Sequence, residues 1–133
     1  MPLLLVLEDN SADLHRAADT ALRAGFTEIE ARRFASDAKV YLEKAMRGQA
    51  PMPDAMVIDL DLGIESGFEL VRFWHGTPQL RPIAVVIWTL KDQQREICGL
   101  FGVQHFVSKH DDPEVLLGVL AEIIRCVGRA ASV

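Results

Sequence analysis

The sequence predicts a doubly wound α/β domain, a parallel sheet with helices on both faces. Three observations carry this. Apolar runs without alternation, at Leu3–Leu7, Ala55–Ile58 and residues 83–88, read as strands covered on both sides, as in a parallel sheet. Helix-period stripes separate the runs, so strand and helix alternate five times, and right-handed crossovers then place helices on both faces. Each run also ends at a polar or charged residue, at the carboxyl rim where open α/β sheets bind ligands.

The elements follow in order. Leu3–Leu7 is a buried first strand ending at Glu8-Asp9-Asn10. Ser11 is placed to cap a helix in which Leu14, Ala17, Ala18, Ala21 and Leu22 recur at helical spacing, and Gly25 closes it. Residues 28–33 alternate polar groups with Ile29 and Ala31, the pattern of a more exposed strand near a sheet edge. Ser36 is expected to cap a second helix with the stripe Ala38, Tyr41, Leu42, Ala45 and Met46, stopped by Gly48 and Pro51. The strand Ala55–Ile58 leads into a loop holding Asp61, Gly63 and Gly67, then a short helix over 68–74 that ends before Gly76 and Pro78. Residues 83–88 are the most apolar run, a central strand ending at Thr89. A polar helix over 92–101 has only Ile97, Leu100 and Phe101 as its apolar edge. Residues 103–107 form the fifth strand, ending at Ser108-Lys109. Asp112-Pro113 starts the last helix, which carries Leu116, Val119, Leu120, Ile123 and Val127 on one stripe.

Composition narrows the function. The 133 residues are read as one domain over 1–133, half of them hydrophobic and a quarter charged, which is globular. A net charge of −5 without a Lys/Arg cluster argues against nucleic acid, whose phosphates need a basic footprint. The first apolar run is too short for a signal-peptide core or a membrane span, so a cytoplasmic protein with no membrane partner is expected. Cys98 and Cys126 form no metal or disulfide pattern and read as buried small hydrophobes. His15, His75, His105 and His110 are scattered without ligand spacing, and Trp74 and Trp88 read as core.

The chemistry gathers at the carboxyl rim. Strand one delivers Glu8 and Asp9, strand three Asp59, strand four Thr89 and strand five Lys109. Crowded carboxylates repel unless a cation joins them, and hard oxygen donors without His or Cys select Mg²⁺ or a similar ion. A hydroxyl and an ammonium beside that ion suit an oxyanion of phosphate geometry, toward which Asp59 is a candidate nucleophile. Singly, each of these groups has a blander role, as a helix-capping turn, a solvated carboxylate or a surface lysine. Their coincidence at four strand ends is what points to a site.

This set resembles the response regulator receiver domain. The resemblance rests on Glu8-Asp9-Asn10, Ile58-Asp59-Leu60-Asp61-Leu62, Gly67, Thr89 and Phe106-Val107-Ser108-Lys109, in family order over nearly the whole chain. It implies a flavodoxin-like sheet of strand order 2-1-3-4-5. It also implies that Asp59 accepts a phosphoryl group from a sensor histidine kinase or phosphotransfer protein. Mg²⁺ would then be held by Glu8, Asp9, the Asp59 carboxylate and the backbone carbonyl of Asp61. Lys109 would pair with a phosphate oxygen, Thr89 would close on another, and the Phe106 ring would follow that switch. The chain then looks like a stand-alone receiver with an unidentified downstream partner. A homodimer would form through the fourth helix, fifth strand and fifth helix.

Three positions depart from the family pattern. His110 follows the lysine where proline with a cis bond is usual, Leu90 follows the threonine where a small residue is usual, and Gly63 replaces a common proline. Leu90, Lys91 and His110 are accordingly read as modulating the site. The Lys109–His110 peptide is expected to be trans, because a cis bond before a non-proline residue costs about 2.5–4 kcal/mol. Two other functions compete with a phosphoacceptor that is not an enzyme in the turnover sense. Asp59-Leu60-Asp61 also resembles the nucleophile motif of haloacid-dehalogenase-like phosphatases, although that motif normally closes the first strand. A receiver-like module that binds partners without phosphorylation is the third reading, favoured by Leu90 and His110 and opposed by the complete acidic set.

Overall fold

The computed structural model describes residues 1–131, so the last two positions of the domain expected over 1–133 lie outside the described residues. Five parallel strands form the main sheet: β1 (Leu3–Leu7), β2 (Glu28–Arg32), β3 (Ala55–Ile58), β4 (Ala84–Thr89) and β5 (His105–Ser108). Their spatial order is β2-β1-β3-β4-β5, as expected, with registers such as Leu5 opposite Glu30 and Met56, and Ile87 opposite Phe106.

Strand side chains alternate between faces, and each face has its own core. Leu3, Leu5, Leu7, Met56, Ile58, Val85 and Ile87 face α2 (Ala35–Met46) and α3 (Phe68–His75), where they meet Leu42, Leu70 and Trp74. Leu4, Val6, Val57, Val86, Trp88 and Val107 face α1 (Ser11–Ala24) and α5 (Pro113–Ala131), where they meet Ala17, Ala21, Leu116 and Leu120. Each fully buried Leu or Ile stabilises the fold by about 1.5–3 kcal/mol, so continuous apolar strands are what hold the two layers to the sheet. Both tryptophans are buried as expected, and the Trp74 indole N–H donates to the Ile83 carbonyl at 3.1 Å.

Several local expectations need correction. Asn10, not Ser11, caps α1, because its side chain accepts the Asp13 N–H at 2.9 Å. Helix α2 begins after Phe34 with no side-chain cap, which leaves Ser36 inside its first turn. In β2 Ile29 packs on the core while Ala31 is exposed. The loop after β3 contains a two-stranded antiparallel ribbon, Asp61–Leu62 with Glu65–Ser66, turned by Gly63 at a φ of 75°. The polar helix shortens to a 3-10 turn, Asp92–Gln94, followed by α4 (Arg95–Leu100). Its buried residue is Cys98, whereas Ile97 and Leu100 are exposed. Cys126 is exposed rather than buried, since it lies off the α5 stripe. No helix among the described residues is long and apolar enough to cross a membrane.

Candidate functional site

The sheet itself aims the acidic groups. The Glu8 N–H donates to the Arg32 carbonyl at 3.0 Å, which continues the β1–β2 ladder past its last residue and sends the Glu8 side chain inward, 2% exposed. The Asp59 N–H does the same toward the Leu7 carbonyl at 3.0 Å, so Asp59 stands beside Glu8 and is also buried. One carboxylate oxygen from each of Glu8, Asp9 and Asp59 falls in a group whose members lie within 4.8 Å of one another. Lys109 arrives from the far edge. Its backbone N–H donates to the Thr89 carbonyl at 2.8 Å, and its side chain runs back across the rim.

The Lys109 Nζ ends 2.7 Å from Asp13 Oδ2, 2.8 Å from Glu8 Oε2 and 3.0 Å from Asp59 Oδ2. The Trp88 ring lies beneath it, 4.9 Å from ammonium to centroid, and Arg16 approaches the same ring at 5.3 Å. A cavity of about 280 Å³ opens over this cluster, walled by Glu8, Asp9, Asp13, Asp59, Asp61 and Lys109, with Gly63 and Leu90 completing its sides. Burial pushes Glu8 from 4.5 up to about 7, reinforced by the Asp59 charge and opposed by the Lys109 hydrogen bond. Burial alone pulls Lys109 down, but its bonds to Asp13 and Glu8 and the nearby Asp59 charge outweigh that and hold it above its usual value.

The remaining sequence candidates sit as follows. Asp61 borders the cavity, and its N–H donates to Asp59 Oδ1 at 3.1 Å. Thr89 is fully buried beside the site but outside the cavity wall, where its hydroxyl accepts the Lys91 N–H at 3.3 Å. Phe106 is half-buried, with the Arg95 guanidinium 4.6 Å over its ring. Leu90 is 57% exposed and lies against the acidic cavity. The Lys109–His110 peptide is trans, as expected. The turn after β5 is pinned by hydrogen bonds: Ser108 N–H to Asp111 Oδ2 at 3.1 Å, and His110 N–H to the Ser108 hydroxyl at 3.1 Å.

Gly67 supports the whole arrangement. A Cβ built there would lie 1.8 Å from the Asp59 carbonyl oxygen, so only glycine lets α3 begin so close beneath the acidic strand end. Sequence reasoning missed two participants, Asp13 and Trp88. An acid in the first turn of a helix is ordinarily read as a complement to the helix dipole, which hid Asp13. Its signal was position: three residues after Asn10, the first turn of α1 overhangs the same rim.

The donor set fits a small divalent cation. It is all oxygen and largely anionic, with one oxygen from each of Glu8, Asp9 and Asp59 within 4.8 Å of the others, and hard oxygen donors of this kind suit Mg²⁺ or a similar ion.

The five-stranded parallel sheet of order 2-1-3-4-5, with the buried Glu8 and Asp59 and one lysine at its carboxyl rim, defines the class of fold to which this chain belongs, and comparison with solved structures agrees. The structure closely matches response regulator receiver domains over nearly its full length. The receiver domain from Rhodospirillum rubrum is 26% identical, with 91% of this chain and 89% of that one aligned at a TM-score of 0.73. The chemotaxis response regulator CheY4 of Vibrio cholerae is 20% identical, covering 92% and 98%, at a TM-score of 0.74. The Mn(2+)-bound form of the response regulator Rcp1 is 20% identical, covering 92% and 91%, at a TM-score of 0.76. No protein-family model and no curated protein sequence matches the chain.

Proposed function

We propose that this chain is a receiver-type phosphoacceptor that takes a phosphoryl group onto Asp59 from a histidine kinase or phosphotransfer protein and changes its partners in response. The observation that carries this is the Lys109 ammonium 3.0 Å from the Asp59 carboxylate, with Glu8 and Asp9 gathered at the same point. In the transfer, an Asp59 carboxylate oxygen bonds to phosphorus as the phosphorus–nitrogen bond of the donor histidine breaks, and the electron pair leaves on the imidazole. Lys109 is placed to meet a phosphoryl oxygen with a charge-assisted hydrogen bond. Mg²⁺, held by Glu8, Asp9, Asp59 and the Asp61 backbone carbonyl, would supply neutralising charge for the transferring group. The Mn(2+)-bound form of Rcp1, a protein of the same fold, supports that assignment.

Thr89 would act as the switch by giving up the Lys91 N–H for a phosphoryl oxygen, and Phe106 would repack behind it. The surface that reports the change would be α4, β5 and α5, either to a downstream protein or to a second copy. The fold favours this reading over the phosphatase, because Asp59-Leu60-Asp61 ends the third strand, not the first, of the sheet. Incubation with Mg²⁺ and a small phosphodonor tests it by intact mass. One added phosphoryl group, absent from Asp59→Asn, is the expected result. Multiple turnover on a generic phosphate ester, without stable labelling, would overturn it in favour of the hydrolase.

A further inference from the structure

An ammonium has three N–H groups, and Lys109 commits all of them, to Asp13, Glu8 and Asp59 at 2.7, 2.8 and 3.0 Å. Two of those partners are the carboxylates proposed to hold a cation. A cation that engages Glu8 and Asp59 must compete with Lys109 for their oxygens. Asp13 is different. It makes the shortest of the three contacts, lies on α1 rather than on a strand end, and is absent from the group of oxygens gathered around one point.

Asp13 is also braced from outside the site. Its backbone N–H is held by the Asn10 side chain, and its second oxygen, Oδ1, accepts from Arg16 at 3.0 Å. The oxygen facing Lys109 is therefore directed by the helix itself. On the other side the Trp88 ring closes under the ammonium at 4.9 Å, a cation–π contact that holds the lysine head at the rim.

We infer that Asp13 is a positioning residue that acts through Lys109: it keeps the ammonium when Glu8 and Asp59 turn to a cation, and so lets the cation in at lower cost. This inference rests on the divalent-cation site proposed above. Without Asp13 the ammonium has only the cation's own ligands for partners, and each must be pulled from it before the ion can bind.

The test is a double-mutant cycle read as Mg²⁺ affinity by calorimetry, on the intact chain, with Asp13→Asn and Lys109→Met singly and together. Asp13→Asn is expected to weaken Mg²⁺ binding about tenfold in the presence of Lys109, equivalent to about 1.4 kcal/mol. In the Lys109→Met background the same change should weaken it less than threefold. Asp13→Glu, which keeps the charge, should recover most of the loss. An equal loss in both backgrounds would mean that Asp13 contributes only its charge, and no loss in either would mean that it does not hold the lysine during binding; either overturns the inference. If the unmodified chain itself takes up no Mg²⁺, the cation site fails first. Circular dichroism of each variant separates a binding loss from unfolding.

Discussion

At the scale of the residue, Gly67 and Leu90 carry the sharpest expectations. A methyl group on Gly67 would overlap the Asp59 carbonyl, a backbone atom that cannot move without displacing the acidic strand end. Gly67→Ala should therefore lower stability by more than about 2 kcal/mol and abolish Mg²⁺-dependent labelling, measured by denaturant melts and intact mass. A variant with normal stability and labelling would show that the strand end yields freely. Leu90 lines the same cavity as Asp59 and is more than half exposed. Leu90→Ala should speed both labelling by a small phosphodonor and loss of the label, with Mg²⁺ affinity nearly unchanged, because in-line attack needs a clear path to the carboxylate. Equal rates in the two proteins would show that Leu90 does not gate the site. At this scale sequence was most informative where a residue ends a strand, as Glu8, Asp59 and Lys109 do. It was least informative for Asp13 and Trp88, whose relation to Lys109 depends on how α1 and β4 stack at the rim.

At the scale of the element, α4 is the weakly held piece. Its six residues bury only Cys98, and Ile97 and Leu100 face outward. Few buried contacts mean a low free energy of local opening, and this helix borders the loop that leaves Thr89. Amide exchange over residues 92–100 should be faster than in α1 and slow when Asp59 carries a phosphoryl mimic; unchanged exchange would detach α4 from the switch. The two cysteines offer an independent measure. Cys126 is exposed, whereas burial pushes the Cys98 thiol above its usual value, so less thiolate is present at any pH. A thiol reagent near pH 8 should label Cys126 first and Cys98 only as α4 opens, and comparable rates would mean that α4 does not shield it. The length of α4 was not legible, because two of the three residues of its apolar edge, Ile97 and Leu100, face solvent, while the third, Phe101, packs against Phe68 just past the helix end. Helix-period spacing identifies a stripe but not whether anything covers it.

At the scale of the molecule, the sheet was legible because continuous apolar runs leave a parallel, two-sided sheet as the natural arrangement. Alternation marked β2 as an edge strand and the most apolar run marked β4 as interior, but the full order 2-1-3-4-5 came from the resemblance, since the runs do not rank the remaining strands. That order brings β1 and β3 side by side and so sets Glu8 against Asp59, with a consequence for the stability of the whole fold. In metal-free protein Glu8 is raised from 4.5 to about 7, chiefly by burial, so the native state retains a proton that the unfolded chain has released. Stability from this group is fully present below pH 4.5 and declines as pH rises through about 7, by roughly 3 kcal/mol. Mg²⁺ reverses the slope, because binding requires the ionised carboxylate and displaces the proton, so affinity and the stability it confers increase over the same interval. Thermal melts between pH 5 and 8 should fall with chelator and rise, or stay level, with saturating Mg²⁺. Glu8→Gln, uncharged throughout, should flatten the chelated profile and remove most of the Mg²⁺ effect. Parallel profiles with chelator and with Mg²⁺ would mean that Glu8 does not face the ion, and a flat profile with chelator would mean that it does not hold the proton.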